Sequence, residues 1–272
     1  FMNDGFAAQV KSVVMLKNHA KTLPLNGRLK VYIPKRTYAG EFSKWDGRPK
    51  GEAYESNGIS LNLVRKYFDV VENPAEADAA LVFIQAPTTG RGHSKADIDA
   101  GGNGYIPISL QYSPYVAKYA RKESIAGGDP KENFTNRTYR GKTSTVSNAV
   151  EMETVLATRK AMGDKPVIVA VSAQRPMCFH EIEKAADALL IGFEIQNQAF
   201  MEIIAGKAEP QGLLPVQMPK DMRAVEEQKE DLPFDMKCYK DADGNVYDYA
   251  YGLNWSGVIN DWRVEKYSPK NK

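Results

Sequence analysis

The chain has little with which to hold a metal or to staple itself. Its 272 residues include two cysteines and three histidines. Cys178 and Cys238 lack the close pairing of a zinc site, and no metal or cofactor is expected. One disulfide between them fits the count, but two separate buried thiols is the preferred reading. No apolar run approaches the roughly 18 residues of a spanning helix, and no signal peptide is visible, so no membrane partner is expected. The 36 Lys and Arg residues nearly cancel the 34 Asp and Glu residues, leaving +2. That balance removes the electrostatic case for nucleic acid. A phosphate cradle is also missing. Gly101-Gly102-Asn103-Gly104 follows a loop rather than a strand, so it fails the context of a dinucleotide fingerprint, and a nucleotide-binding reading is set aside. Asp241-x-Asp243-x-Asn245 begins like a calcium loop, but Val246 and Gly252 stand where that loop needs Gly and Glu. A hairpin turn through Asp243-Gly244-Asn245 is the better reading.

What is present is an alternation of strands and helices. Leu29–Pro34, Val70-Val71, Leu81–Ile84, Val167–Val171 and Ala188–Ile191 read as strands, the longer ones apolar enough to be buried on both faces. Helices are expected over Ala7–Asn18, Ile59–Phe68, Tyr115–Glu123 and Val150–Met162. A short helical piece surrounds Glu181. A further amphipathic helix carries Ala199, Ile203 and Ile204 on one face and ends at Gly206. This pattern predicts an α/β fold: an open, mostly parallel sheet of about six strands with helices on both faces. Residues 85–148 break the alternation, as functional loops and insertions do. The charged stretch Met222–Lys240 is expected to wrap the surface.

Three islands carry a family resemblance. Lys165–Pro219 holds a Val-rich strand ending in Gln174-Arg175-Pro176, an Ala-Asp-Ala strand start at Ala186, and Pro210-Gln211-Gly212-Leu213-Leu214-Pro215-Val216. Ser12–Asn18 with Leu23-Pro24-Leu25, and Tyr251-Gly252-Leu253-Asn254-Trp255, flank it in order. Together they resemble the C-terminal α/β sandwich domain of glycoside hydrolase family 3, β-glucosidase-like enzymes. The resemblance implies a retaining exo-hydrolase of β-glycosides, periplasmic or extracellular, with a carbohydrate substrate. It implies a second partner as well, an N-terminal barrel domain that supplies the nucleophilic Asp. A barrel needs about 250 residues, so none fits here. The whole chain, 1–272, is therefore read as a single C-terminal domain, inactive alone. The alternative is a non-catalytic module that binds a glycan or a protein.

The resemblance directs attention to the loop Gln85–Asp99, which in many members carries a glutamic acid serving as general acid/base. This loop has none. His93, Asp97 and Asp99 are the titratable candidates within it. The acid/base otherwise lies in the later insertion or on the barrel, or hydrolytic competence is lost. Asp97 and Asp99 also suit a helix N-terminus or turn, and His93 an exposed loop position. Arg91, with Thr88 and Thr89, is a candidate for binding sugar hydroxyls. Trp45 and Tyr112 are candidates to stack on a sugar ring or simply to pack. Asn133, Asn136 and Asn254 begin glycosylation sequons, a common accidental pattern.

Overall fold

A computed structural model describes residues 2–40, 51–123, 137–229 and 232–267. Trp45 and the Asn133 and Asn136 sequons lie outside the described residues.

The chain opens with α1 (Met2–Ser12), runs through β1 (Val14–Asn18) and β2 (Lys30–Tyr32), and forms a hairpin from β3 (Arg36–Tyr38) and β4 (Tyr54–Ser56). Then come α2 (Leu61–Val64), β5 (Asp69–Val71), β6 (Ala79–Gln85) and α3 (Lys95–Asp99). A two-strand ribbon, β7 (Tyr115–Val116) with β8 (Thr143–Ser144), precedes α4 (Val150–Met162), β9 (Val167–Ala173) and β10 (Ala188–Phe193). The chain ends through α5 (Asn197–Ile204), α6 (Met222–Glu227), β11 (Leu253–Asn254), β12 (Gly257–Val258) and α7 (Trp262–Tyr267).

Eight strands form the main sheet, in the order β12-β11-β1-β10-β9-β6-β2-β5. The five from β10 to β5 are parallel; β1, β11 and β12 extend one edge antiparallel. The mostly parallel α/β sheet is thus the one the sequence pattern predicts, with more strands than expected because β1 and the two-residue strands β11 and β12 extend it at one side. Its centre is dry: Val82, Val169 and Leu190 have no exposed surface. Continuous apolar runs suit strands covered on both sides.

Five expectations need correction. The helix placed over Ala7–Asn18 stops at Ser12, and Val14–Asn18 is a strand paired with β10. Val13, Val14, Met15 and Leu16 are all buried, a demand that a strand with both faces covered meets and a one-sided helix does not. The helix expected over Tyr115–Glu123 is absent. Tyr115 and Val116 pair with β8, Ala117 N–H donates to Lys142 O at 3.0 Å, and Tyr119 N–H is taken by the buried carboxylate of Glu226 at 3.0 Å. The stretch from Met222 does more than wrap the surface, because Met222, Ala224 and Glu226 of α6 are buried. The Ile59–Phe68 helix shrinks to α2 with turns beyond it, and the segment near Glu181 is a 3-10 turn at Glu183–Ala185. Neither cysteine is in a disulfide; Cys178 is buried and Cys238 partly so.

The signature turn at Gly212 has a packing reason. A Cβ there would stand 2.6 Å from Ser12 O, and Gly212 N–H donates to Val13 O at 3.0 Å. Only glycine lets this turn press on the α1–β1 junction. The C-terminal arm is also fastened to the sheet. Lys17 and Glu183 form a buried pair at 2.6 Å, and Tyr239 OH donates to Glu183 at 3.0 Å. The expected turn at Asp243–Asn245 forms: Asp241 accepts from Asn245 N–H at 2.7 Å and from Tyr247 OH at 3.2 Å.

Candidate functional site

Parallel sheets bind ligands in the crevice at the carboxyl ends of their strands. A cavity of about 720 Å³ lies there, floored by Phe83, Ile84 and Gln85 at the end of β6 and by Ser172 of β9. The β3–β4 hairpin forms one wall, with Tyr38 and Tyr54 stacked at 5.0 Å between ring centroids. Asn148 and Thr88 close another side, and Asn197, at the start of α5, a third. Aromatic faces mixed with hydroxyl and amide groups are what a neutral polyhydroxylated ligand requires.

The hairpin wall rests on a buried charge network. Arg36 pairs with Glu151 at 2.7 Å, both side chains almost wholly buried. Arg36 Nε donates to Tyr38 OH at 2.7 Å, Tyr38 OH donates to Glu151 at 2.7 Å, and the Arg36 guanidinium also donates to Phe83 O. Burial raises the Glu151 carboxyl above its ordinary value, and Arg36 and then Tyr38 oppose the shift. Tyr38 is pushed up to about 12, chiefly by burial and then by Glu151. Gly58 lets the hairpin leave: its φ is +74°, and a Cβ would stand 2.6 Å from Arg36 Nη2 and closer still to Phe83 O.

The loop that leaves β6 is clamped by one side chain. Asn148 Oδ1 accepts from Thr88 N–H at 2.8 Å, and Asn148 Nδ2 donates to Ala86 O at 3.0 Å and Gln85 O at 3.3 Å. Tyr112 OH donates to Gln85 O at 2.6 Å from below. Tyr112 is fully buried, so it packs rather than presenting a face to a ligand.

Of the sequence candidates, Thr88 lines the cavity and Thr89 sits half-buried beside it. Arg91 and His93 are exposed further along the loop, and the His93 ring meets Tyr105 edge-on at 6.5 Å. Ser94 caps α3 by accepting from Asp97 N–H at 3.2 Å. Asp97 accepts from Lys142 Nζ at 2.6 Å and Gly104 N–H at 2.8 Å. Lys142, then the Gly104 amide, hold its carboxyl below the ordinary range. Asp99 pairs with Lys95 at 2.8 Å on the surface. The structure therefore brings Thr88 to the cavity and carries Arg91, His93, Asp97 and Asp99 away from its lining. Sequence reading missed Arg36, Tyr38, Tyr54, Asn148 and Glu151. The usable signal was positional, since Arg36 and Tyr38 follow the first parallel strand on its carboxyl side.

Comparison with known proteins gives the family. The model of the glycosyl hydrolase family 3 C-terminal domain matches residues 13–255. A probable β-glucosidase C of Aspergillus flavus is 25% identical over 258 residues, covering 94% of this chain and 30% of that protein. A putative β-xylosidase of Formosa agariphila is 27% identical over 263 residues, covering 92% and 30%. The chain thus spans about a third or less of these relatives' length. Among solved structures, β-glucosidase D2-BGL from Chaetomella raphigera aligns over 93% of this chain and 36% of its own, with TM-score 0.50 and 17% identity. The family 3 β-glucosidase of Bifidobacterium adolescentis aligns over the same shares, with TM-score 0.50 and 15% identity. The chain belongs to glycosyl hydrolase family 3, as its C-terminal domain.

Proposed function

We propose that this domain forms one wall of the sugar site of a β-glycoside exo-hydrolase and is inactive alone. The observation that carries the reading is the cavity at the carboxyl ends of β6 and β9, where Tyr54, Gln85, Thr88 and Asn148 offer a ring face and hydroxyl partners. Retaining hydrolysis needs a nucleophilic carboxylate and an acid/base about 5–5.5 Å apart. In this reading the nucleophile comes from a barrel domain, and the substrate lies between the two. Thr88, Thr89 and Arg91 bind its hydroxyls along the loop that Asn148 holds in place. Among the three acid/base candidates His93 is favoured. Asp97 is already committed to Lys142 and Asp99 to Lys95, whereas His93 makes no hydrogen bond or ion pair through its ring with a described residue. The site of action is periplasmic or extracellular, on the family resemblance.

The test uses the chain itself with glucose and with aryl β-glucoside and β-xyloside substrates. Glucose is expected to perturb the NMR signals of Tyr54, Thr88 and Asn148, with no hydrolysis of either aryl glycoside. Turnover by the chain alone overturns the division of labour. Perturbations confined to residues away from the cavity overturn the sugar wall and favour a separate glycan-binding module.

A further inference from the structure

Charge is not spread evenly along the chain. Residues 85–148 hold nine Lys and Arg against five Asp and Glu, a net of +4, while the whole chain carries +2. The remainder is therefore acidic on balance. Part of that basic charge gathers where two passes of the 85–148 stretch run side by side. Ala117 N–H donates to Lys142 O at 3.0 Å, Gly141 N–H donates to Ala117 O at 2.7 Å, and Thr138 Oγ1 donates to Arg121 O. These bonds bring Lys118, Arg121 and Lys122 of one pass beside Arg140 of the other. Between them lies Tyr119, 52% exposed.

The surface is anchored from beneath, and much of its charge is unspent. Buried Glu226 holds Tyr119 N–H, the Arg121 guanidinium donates to Gln228 O at 2.9 Å, and Arg223 stands 4.6 Å from the centre of the Tyr119 ring. Lys142 is already committed to Asp97 at 2.6 Å. Lys118, Lys122 and Arg140 are exposed and make no hydrogen bond or ion pair through their side chains with a described residue. Glu123 and Glu227 are exposed carboxylates nearby, and Glu227 is taken by Arg223 at 2.5 Å. Cations left unpaired on one surface attract an anionic partner and relieve their mutual repulsion on binding it.

Charge density decides between the polyanions. Duplex nucleic acid presents one charge for about every 1.7 Å of its axis, far more than three unpaired cations neutralise. A polyuronate presents only one carboxylate per sugar ring. An arginine fork meets a planar carboxylate through two parallel bonds, and an exposed tyrosine face packs against the C–H face of a ring. We propose that Lys118, Tyr119, Lys122 and Arg140 form a docking surface for an acidic, uronate-bearing polysaccharide, outside the sugar cavity. The surface stands apart from the sugar-wall reading, because none of these four residues lines that cavity.

The experiment titrates the full chain with polygalacturonate, with uncharged dextran and with duplex DNA, followed by NMR. Polygalacturonate is expected to bind and to weaken about tenfold between about 50 and 300 mM NaCl, with dextran and DNA each binding more weakly. Lys118→Gln with Arg140→Gln removes two unpartnered cations and is expected to lower the affinity about tenfold. Lys160→Gln with Lys207→Gln makes the same change in net charge at exposed positions elsewhere, and is expected to leave affinity within about twofold. Equal losses in the two double variants assign the binding to net charge and overturn the proposal. So does DNA or dextran binding as tightly as polygalacturonate, or no binding of polygalacturonate at all. Glucose perturbation of Tyr54, Thr88 and Asn148 tests the sugar wall separately, and is expected to persist in Lys118→Gln with Arg140→Gln.

Discussion

Arg36→Met is the sharpest probe of how the cavity wall is held. The substitution removes the cation facing Glu151 at 2.7 Å and leaves that carboxylate buried without a countercharge. It also strips Phe83 O and Tyr38 OH of a donor. Breaking a buried pair on one side costs about 3–5 kcal/mol, and an orphaned buried carbonyl adds about 1–3. A net loss of about 4 kcal/mol corresponds to a Tm lower by about 10 °C in a domain of this size. The pH dependence carries a definite sign. Glu151 titrates above its ordinary value in the folded chain, so its contribution is complete below the unfolded pKa and is lost as pH rises through the folded one. Arg36 limits that rise; without it the folded pKa climbs further, and the deficit of the variant grows with pH from about 4.3 upward. Urea denaturation at about pH 4.5 and about pH 8 measures the difference. Adding Glu151→Leu to Arg36→Met is expected to restore about 2 kcal/mol, because it removes the stranded charge. A deficit that is equal at both pH values, or a double variant no better than the single one, would refute the reasoning.

Gly58→Ala places a Cβ against Arg36 and Phe83 O at a left-handed position, and about 3 kcal/mol of destabilisation is expected in a thermal melt; a neutral result means the hairpin exit relaxes freely. Asn148→Ala frees Thr88 N–H and Ala86 O, with an expected loss of about 2 kcal/mol and faster hydrogen exchange at residues 86–88. Unchanged exchange there contradicts the clamp. The lowered Asp97 carboxyl stabilises the folded state above its unfolded pKa and ceases to do so as pH falls through the folded one. Protection of Gly104 N–H, its exchange relative to an unstructured amide at the same pH, should therefore fall in acid, and Asp97→Asn should flatten that profile. A Gly104 profile whose protection still falls in acid in Asp97→Asn assigns the fall to another group.

The sheet was readable from the sequence because Leu81–Ile84, Val167–Val171 and Ala188–Ile191 are apolar without interruption, and such runs have few other uses. The first strand was misread because Val10, Val13 and Val14 satisfy a helical stripe as well as an extended one. Only the pairing partner, β10, far along the chain, decides between them. The cavity was legible at Thr88 alone. Arg36, Asn148 and Glu151 are single polar residues with no motif around them, and their roles come from a meeting of three elements that spacing does not encode. Sequence reasoning searched the loop after β6, yet the strand-end rule applies equally to the exits of β2, β9 and β10.

The placement of β1 has a consequence for synthesis. Within this domain it precedes the other strands, yet it lies between β10 and β11 and pairs with residues far along the domain, Val14 with Ile191 and Met15 with Leu253. A nascent chain therefore carries Val13–Leu16 uncovered until most of the domain has left the ribosome. Long-range pairing of this kind is slow and exposes sticky surface meanwhile. Among the strands of this domain, β1 is therefore the one whose cover arrives last.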